Sequence, residues 1–214
     1  MGLGEPERLA DGAASGTPAR RMRAEATGWD GVWVADHFMG DGGGFGPEEA
    51  ETVEATAVIA ALAVVTERVR IGSLVFGATY RHPAVLANWA ATVDRLSGGR
   101  LVLGIGAGWQ ANEHHQYGIA LPPPGERVER LEECLEVLGG LLRDEVTTFE
   151  GRWFRLQGAR CEPKPSGPLP ILVGGKGDRM LGVVARHADE WNMWAMPDRF
   201  AERSAALDRA AERA

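Results

Sequence analysis

Residues 66–109 read TERVRIGSLVFGATYRHPAVLANWAATVDRLSGGRLVLGIGAGW, and the order of elements in that run decides the fold. The β-branched, apolar stretch at 69–76 predicts a buried strand. After Pro83, Val85, Trp89, Val93 and Leu96 recur at helical spacing, and Gly98-Gly99 supplies a stop. A second apolar run at 101–105 predicts another strand, which enters the cluster Gly104-Ile105-Gly106-Ala107-Gly108. Strand, helix and strand in that order imply a crossover and a parallel sheet.

The same alternation extends in both directions. Toward the N-terminus, residues 1–19 carry Gly, Ala, Pro and charge without periodicity and read as a flexible arm. A short helical stretch from Arg20 stops at Gly28, residues 31–35 (GVWVA) form a buried strand, and the Ala-rich run 48–66 predicts a helix. Toward the C-terminus, Val128, Leu131, Leu135, Leu138 and Leu142 mark a helix with one core-facing stripe, on which Cys134 falls as a small core residue. Residues 146–156 predict a hairpin turning at Glu150-Gly151. Residues 171–173 predict a strand, 179–187 a helix, 190–194 a strand, and 197–213 a helix carrying Phe200 and Leu207 inward.

Five strands of this kind suit an α/β domain over residues 20–214. A complete (β/α)8 barrel takes about 250 residues and eight strands, so the expectation is a barrel lacking its first strand and its last ones, the product of a shortened or misframed gene.

Composition narrows the function classes. The 214 residues are 44% apolar and 25% charged, with a net charge of −7. Acids and bases are interspersed, so no basic stripe exists to neutralise a phosphate backbone, and nucleic acid is excluded as a partner. No apolar run reaches the roughly 20 residues of a membrane span, and the N-terminus lacks the order of a signal peptide. No membrane association is expected, and the cytoplasm is the default location. Two cysteines make no disulfide framework, and Cys161 is a lone thiol.

In parallel α/β folds the site gathers where strand C-termini meet the following loops. That rule selects Asp36 and His37, residues 73–76, residues 104–109 and residues 174–177. His37 has the chemistry of a proton carrier near neutrality; the plainer alternative is a structural histidine tied to Asp36 or to a backbone carbonyl. The glycines at 104, 106 and 108 let backbone approach a planar ring or an anion, or simply make a tight turn. They depart from the dinucleotide pattern because Trp109 stands where its third glycine belongs. Gly174, Gly175, Lys176 and Gly177 open a helix, so free amides and a lysine are available to a phosphate, or they simply make a glycine-rich turn with a solvated lysine. Glu113-His114-His115 lacks a further ligand at metal spacing, and no metal is expected. Trp33, Trp89, Trp109, Trp191 and Trp194 either fill core or line an aromatic pocket.

Several segments in order resemble the luciferase-like family. Residues 28–38 (GWDGVWVADHF) are similar to its signature strand and loop, and the resemblance continues through 66–81, His82-Pro83, 94–109, Glu150-Gly151, 170–175 and 189–192. The nearest likeness is to the deazaflavin-dependent branch. It implies a (β/α)8 barrel and an oxidoreductase passing hydride between coenzyme F420, an 8-hydroxy-5-deazaflavin, and a small organic substrate. It also implies that Asp36 and His37 lie beside the tricyclic ring, with His37 handling the proton. A bulge with a non-prolyl cis peptide at Leu74-Val75, next to Ser73, would support the ring's face. Gly106, Ala107, Gly108 and Asn112 would border the ring and side chain, with Gly174, Gly175 and Lys176 at the phosphate-bearing tail. Phe45, Tyr80 and Trp194 would wall the substrate pocket. Some dehydrogenases of the family carry a glutamate at the position of Trp109, and its replacement by an indole argues against sugar-phosphate oxidation.

Three other functions stand beside this one. A monooxygenase using FMN and oxygen is the alternative within the family; family members often pair, which leaves a homodimer open. A non-catalytic ligand-binding remnant is the alternative from another class. A Rossmann dehydrogenase fits poorly, because the glycine cluster follows the third strand and no acid ends the next one.

Overall fold

The structure is a computed structural model that describes residues 23–214; the expected N-terminal arm lies outside them. Five main strands are β1 Gly31–Val34, β2 Arg70–Ser73, β4 Leu101–Gly106, β7 Ile171–Gly174 and β8 Glu190–Asn192, joined by the short β3 Phe76–Gly77. They form one parallel sheet in the order β1-β2-β4-β7-β8, with β3 paired to β4. Helices α1 Ala55–Val65, α2 Pro83–Ser97, α3 Ala111–Tyr117, α4 Pro124–Arg143, α5 Asp178–His187 and α6 Pro197–Ala211 connect or flank them. A two-stranded antiparallel hairpin, β5 Thr147–Glu150 with β6 Arg155–Ala159, follows α4 as the sequence predicts.

Side-chain alternation gives the sheet two unlike faces. Ile71, Leu101, Leu103, Ile105, Ile171 and Val173 join the hydrophobic core beneath the helices. The alternate positions (Trp33, Arg70, Gly72, Val102, Gly104, Gly106, Leu172, Gly174 and Glu190) face the other way. There the sheet curls enough for Arg70 of β2 to pair with Glu190 of β8, three strands away. This is the concave wall of a half-barrel. All six residues of central β4 are buried, whereas every residue of the edge strands β1 and β8 is half-buried. Neither edge pairs further among the described residues.

The predicted strand at 69–76 is broken. It divides into β2 and β3 around the Leu74–Val75 peptide, which is cis as the resemblance implies. The helix expected from residue 48 begins at Ala55, where the Glu54 carboxylate caps it by accepting from the Ala57 amide at 2.8 Å. Glu48 is drawn instead to Asn112 and Gln116 of α3. On α2 the buried face is made by Leu86, Ala87, Ala90, Ala91 and Val93, while Val85 and Leu96 are exposed. Small alanines let that helix lie close to the sheet, so the bulkier apolar positions turn outward. Gly98 ends α2 with φ of 68°, the left-handed cap predicted for it. Phe200 is not inward: it remains 44% exposed and stacks on Trp191, 5.3 Å between ring centres. Both cysteines are buried and unpaired, and burial pushes the Cys134 thiol up to about 12. No helix among the described residues is long and apolar enough to cross a membrane.

Candidate active site

A pocket opens at the C-terminal ends of β1, β2, β3 and β4. It is lined by residues 35–37, 74–77 and 108–109, together with Phe45, Tyr80 and Trp194. The parallel topology explains the gathering, because each strand delivers its following loop to the same rim.

Asp36 leaves β1 buried, and its carboxylate is fully committed. It accepts from Arg81 at 2.6 and 2.9 Å and from the Gly77 amide at 3.0 Å. Arg81 also reaches Glu54 and lies over the Phe76 ring. Burial alone would weaken the guanidinium as a base, but its bonds to Asp36 and Glu54 outweigh that and hold it above its ordinary value. Asp36 therefore anchors β1 to the loop after β3, and is not the partner of His37.

His37 pairs with Glu113 instead, its Nδ1 lying 2.8 Å from Oε1. Glu113 stands in the first turn of α3 with no exposed surface, and it also accepts from the Phe38 amide at 2.8 Å and from the Tyr80 hydroxyl. Burial first, then the bond to Glu113, raises the Tyr80 phenol far above its usual value, so it remains a donor. Phe45 and Trp109 lie side by side against the His37 ring at 5.3 and 5.4 Å between ring centres, 5.9 Å from one another, and Trp194 meets Phe45 edge-on.

His114 is internal. Its Nδ1–H donates to the Gln110 carbonyl at 2.6 Å, and its Nε2 accepts from the Thr79 hydroxyl at 2.8 Å. With both ring nitrogens engaged it offers nothing to a metal, and no group of potential metal ligands occurs among the described residues.

The concave wall behind the pocket is glycine-built. A Cβ at Gly106 or Gly174 would stand 2.9 Å from a Val75 methyl, so Val75 lies directly on this floor. Ser73 is fully buried, and its hydroxyl finds no partner. At the far end of β7, Lys176 is exposed and Gly177 caps α5 without a side-chain bond to the first-turn amides.

Of the residues singled out from sequence, the structure brings Asp36, His37, Leu74, Val75 and Gly108 to the pocket rim. Phe45, Tyr80, Trp109 and Trp194 join them there. Gly106 and Gly174 lie in the adjoining floor, paired in register, and Ala107 packs against the core. Asn112 turns away, donating to Gly40 and Glu48. Gly175 and Lys176 do not line this pocket. Of the other tryptophans, Trp33 covers Gly72, Trp89 meets Phe76 edge-on and Trp191 stacks on Phe200. Sequence reasoning weighed Glu113 only as a metal ligand and missed Arg81. The available signal for Glu113 was a carboxylate in the first turn of a helix that opens directly off the glycine cluster.

Comparison with known proteins agrees with this architecture. The luciferase-like monooxygenase family model matches residues 6–214. An F420-dependent glucose-6-phosphate dehydrogenase from Amycolatopsis mediterranei is 36% identical over 168 residues, covering 78% of this chain and 48% of that protein. A second, from Kineococcus radiotolerans, is 34% identical over 86% of this chain and 51% of its own length. Among solved structures, an F420-dependent secondary alcohol dehydrogenase in complex with an F420-acetone adduct superposes with a TM-score of 0.82 at 26% identity, covering 92% of this chain and 59% of that one. The F420-dependent tetrahydromethanopterin reductase of Methanopyrus kandleri shares the fold at a TM-score of 0.77 and 22% identity. The chain spans about half the length of the curated relatives it matches. A glycine-floored half-barrel with its pocket at the strand C-termini, matched by the family model over nearly every residue, places this chain in the luciferase-like monooxygenase family.

Proposed function

We propose that this chain binds coenzyme F420 and takes part in hydride transfer between it and a small organic substrate. The observation that carries the reading is the convergence of His37, the Leu74–Val75 bulge and Gly108 on one pocket at the ends of adjacent parallel strands. The relatives named for F420-dependent dehydrogenation support the choice of coenzyme.

The residues present fit such a group. The orphaned Ser73 hydroxyl stands at the bulge, the concave wall is kept low by glycine, and the α5 N-terminus beside Lys176 has amides free for an anionic tail. Once bound, the coenzyme supplies the hydride chemistry. The protein's part is to orient the reactants, to exclude water with Phe45, Trp109 and Trp194, and to move one proton. Among the titratable side chains lining the pocket, Asp36 is held by Arg81 and Tyr80 by Glu113. His37 alone keeps a ring nitrogen, Nε2, without a protein partner, and so is the group placed to take a proton from a substrate hydroxyl or return it to a carbonyl. The Trp109 indole can donate a hydrogen bond but is no acid or base at ordinary pH, which favours a simple alcohol or carbonyl over a sugar phosphate.

Titration with coenzyme F420 and with FMN, followed by intrinsic tryptophan fluorescence, tests the reading, because Trp109 and Trp194 border the pocket. Quenching by F420 is expected. Quenching by FMN alone would make the monooxygenase alternative the better one, and a flat response to both would leave the ligand-binding claim without support.

A further inference from the structure

Glu113 meets three groups: it accepts from the Phe38 amide on Oε2 and from the Tyr80 hydroxyl on Oε1, and His37 Nδ1 lies 2.8 Å from that same Oε1. The Phe38 amide can only donate, and the phenol stays protonated. Both carboxyl oxygens are therefore occupied as acceptors, and the remaining neighbour, His37 Nδ1, has to present a hydrogen rather than a lone pair. Glu113 has no exposed surface, so water does not compete for these bonds. Phe45 and Trp109 pack side by side against the ring, which limits its swing toward them. The neighbouring chain is pinned as well, since the Gln110 amide donates to the carbonyls of Met39 and Gly40.

We infer that Glu113 is a positioning residue for His37: it fixes the imidazole in the tautomer with hydrogen on Nδ1, so that Nε2 meets the pocket as a bare acceptor. Tyr80 is the second latch, holding the carboxylate in register with the ring. A carboxylate that orients an imidazole in this way sets which nitrogen works as the base without itself touching the reactants. The inference deepens the proposed function and rests on it for what Nε2 does, but the tautomer is a property of the protein alone.

The test is long-range proton–nitrogen NMR on the full chain without coenzyme, the His37 signals being assigned by their loss in His37→Asn. The wild type is expected to show hydrogen on Nδ1 and none on Nε2. In Glu113→Gln an amide group replaces one acceptor oxygen, and the Nε2–H tautomer is expected to gain. Turnover should fall about tenfold or more in kcat, with the coenzyme KM within about threefold. Tyr80→Phe, which leaves the Glu113 carboxylate in place, should keep the wild-type tautomer. Hydrogen found on Nε2 of the wild type overturns the inference even if Glu113→Gln fails to fold, and so does an unchanged tautomer in a folded Glu113→Gln. A tautomer that shifts as expected while kcat holds would uphold the positioning role and overturn the proton-handling role of His37.

Discussion

Asp36 and Arg81 face one another through two parallel hydrogen bonds of 2.6 and 2.9 Å, and only 2% of Asp36 is exposed. Such a pair adds little over a well-packed apolar pair, but removing one partner strands the other charge in a poor solvent. Arg81→Met leaves Asp36 with only the Gly77 amide, and is expected to cost about 3 kcal/mol. For a chain of this size that lowers Tm by roughly 6–12 °C. Asp36→Asn in the same background should recover part of the loss, because it removes the stranded charge. Thermal denaturation of the wild type and these two variants measures this, and an Arg81→Met variant melting with the wild type would show the pair to be dispensable.

The glycine floor predicts a contrast between two alanine substitutions. At Gly104 a Cβ would stand 1.9 Å from the Ser73 carbonyl oxygen, so the backbone of β2 or β4 has to move. Gly104→Ala should destabilise by about 2 kcal/mol or more, in the range of overpacked cores. At Gly139, inside α4, a Cβ meets nothing within 4 Å, and Gly139→Ala should stabilise by about 0.5–1 kcal/mol through helix propensity. Denaturant titration reads both signs. Equal effects would mean that the floor yields more easily than its geometry implies.

These two cases also show where the sequence was legible. Period and punctuation located the five main strands and the long helices between them, because β-branched runs and glycine stops are local signals, but not β3 or the short α3 that carries Glu113. The boundaries failed where a long-range partner decided them. The helix expected at residue 48 was shortened because Glu48 answers to α3 and Glu54 to Arg81. Val85 and Leu96 looked like core by spacing, yet alanines took the buried face. At the site, His37 was visible from its place after a strand. Its partner was not, since 76 residues separate His37 from Glu113 and no local pattern links them.

Glu25 supplies a pH dependence of stability. Its carboxylate accepts from the amides of Arg68 at 2.6 Å, Val69 at 2.9 Å and Glu67 at 3.0 Å, joining the N-terminal helical turn to the approach to β2. The Val69 bond first, then that of Arg68, lowers its pKa from the usual 4.5. A depressed carboxylate contributes stability above its unfolded pKa and loses it as pH falls through the folded value. Glu25→Gln should therefore cost no more than about 1 kcal/mol at neutral pH, a small figure because the group is largely in water. The difference from wild type should shrink below pH 4.5. Melting curves against pH decide it, and a difference that grew on acidification would have the wrong sign for this linkage.

His37→Ala tests the proton-handling role directly. The substitution removes the one pocket side chain with a free titratable atom, while the floor of Gly106, Gly174 and Val75 and the free amides of α5 remain in place. Coenzyme affinity should thus stay within about a few fold, because binding draws on contacts that the imidazole does not make. Turnover with an alcohol or carbonyl substrate should fall by about 10²–10⁴, the usual worth of a positioned acid or base. Loss of Kd and kcat together would instead mark His37 as a binding residue, and the pocket would then need another group to move the proton. None of the other lining side chains has a free titratable atom to offer, so that outcome would point to a group outside this lining.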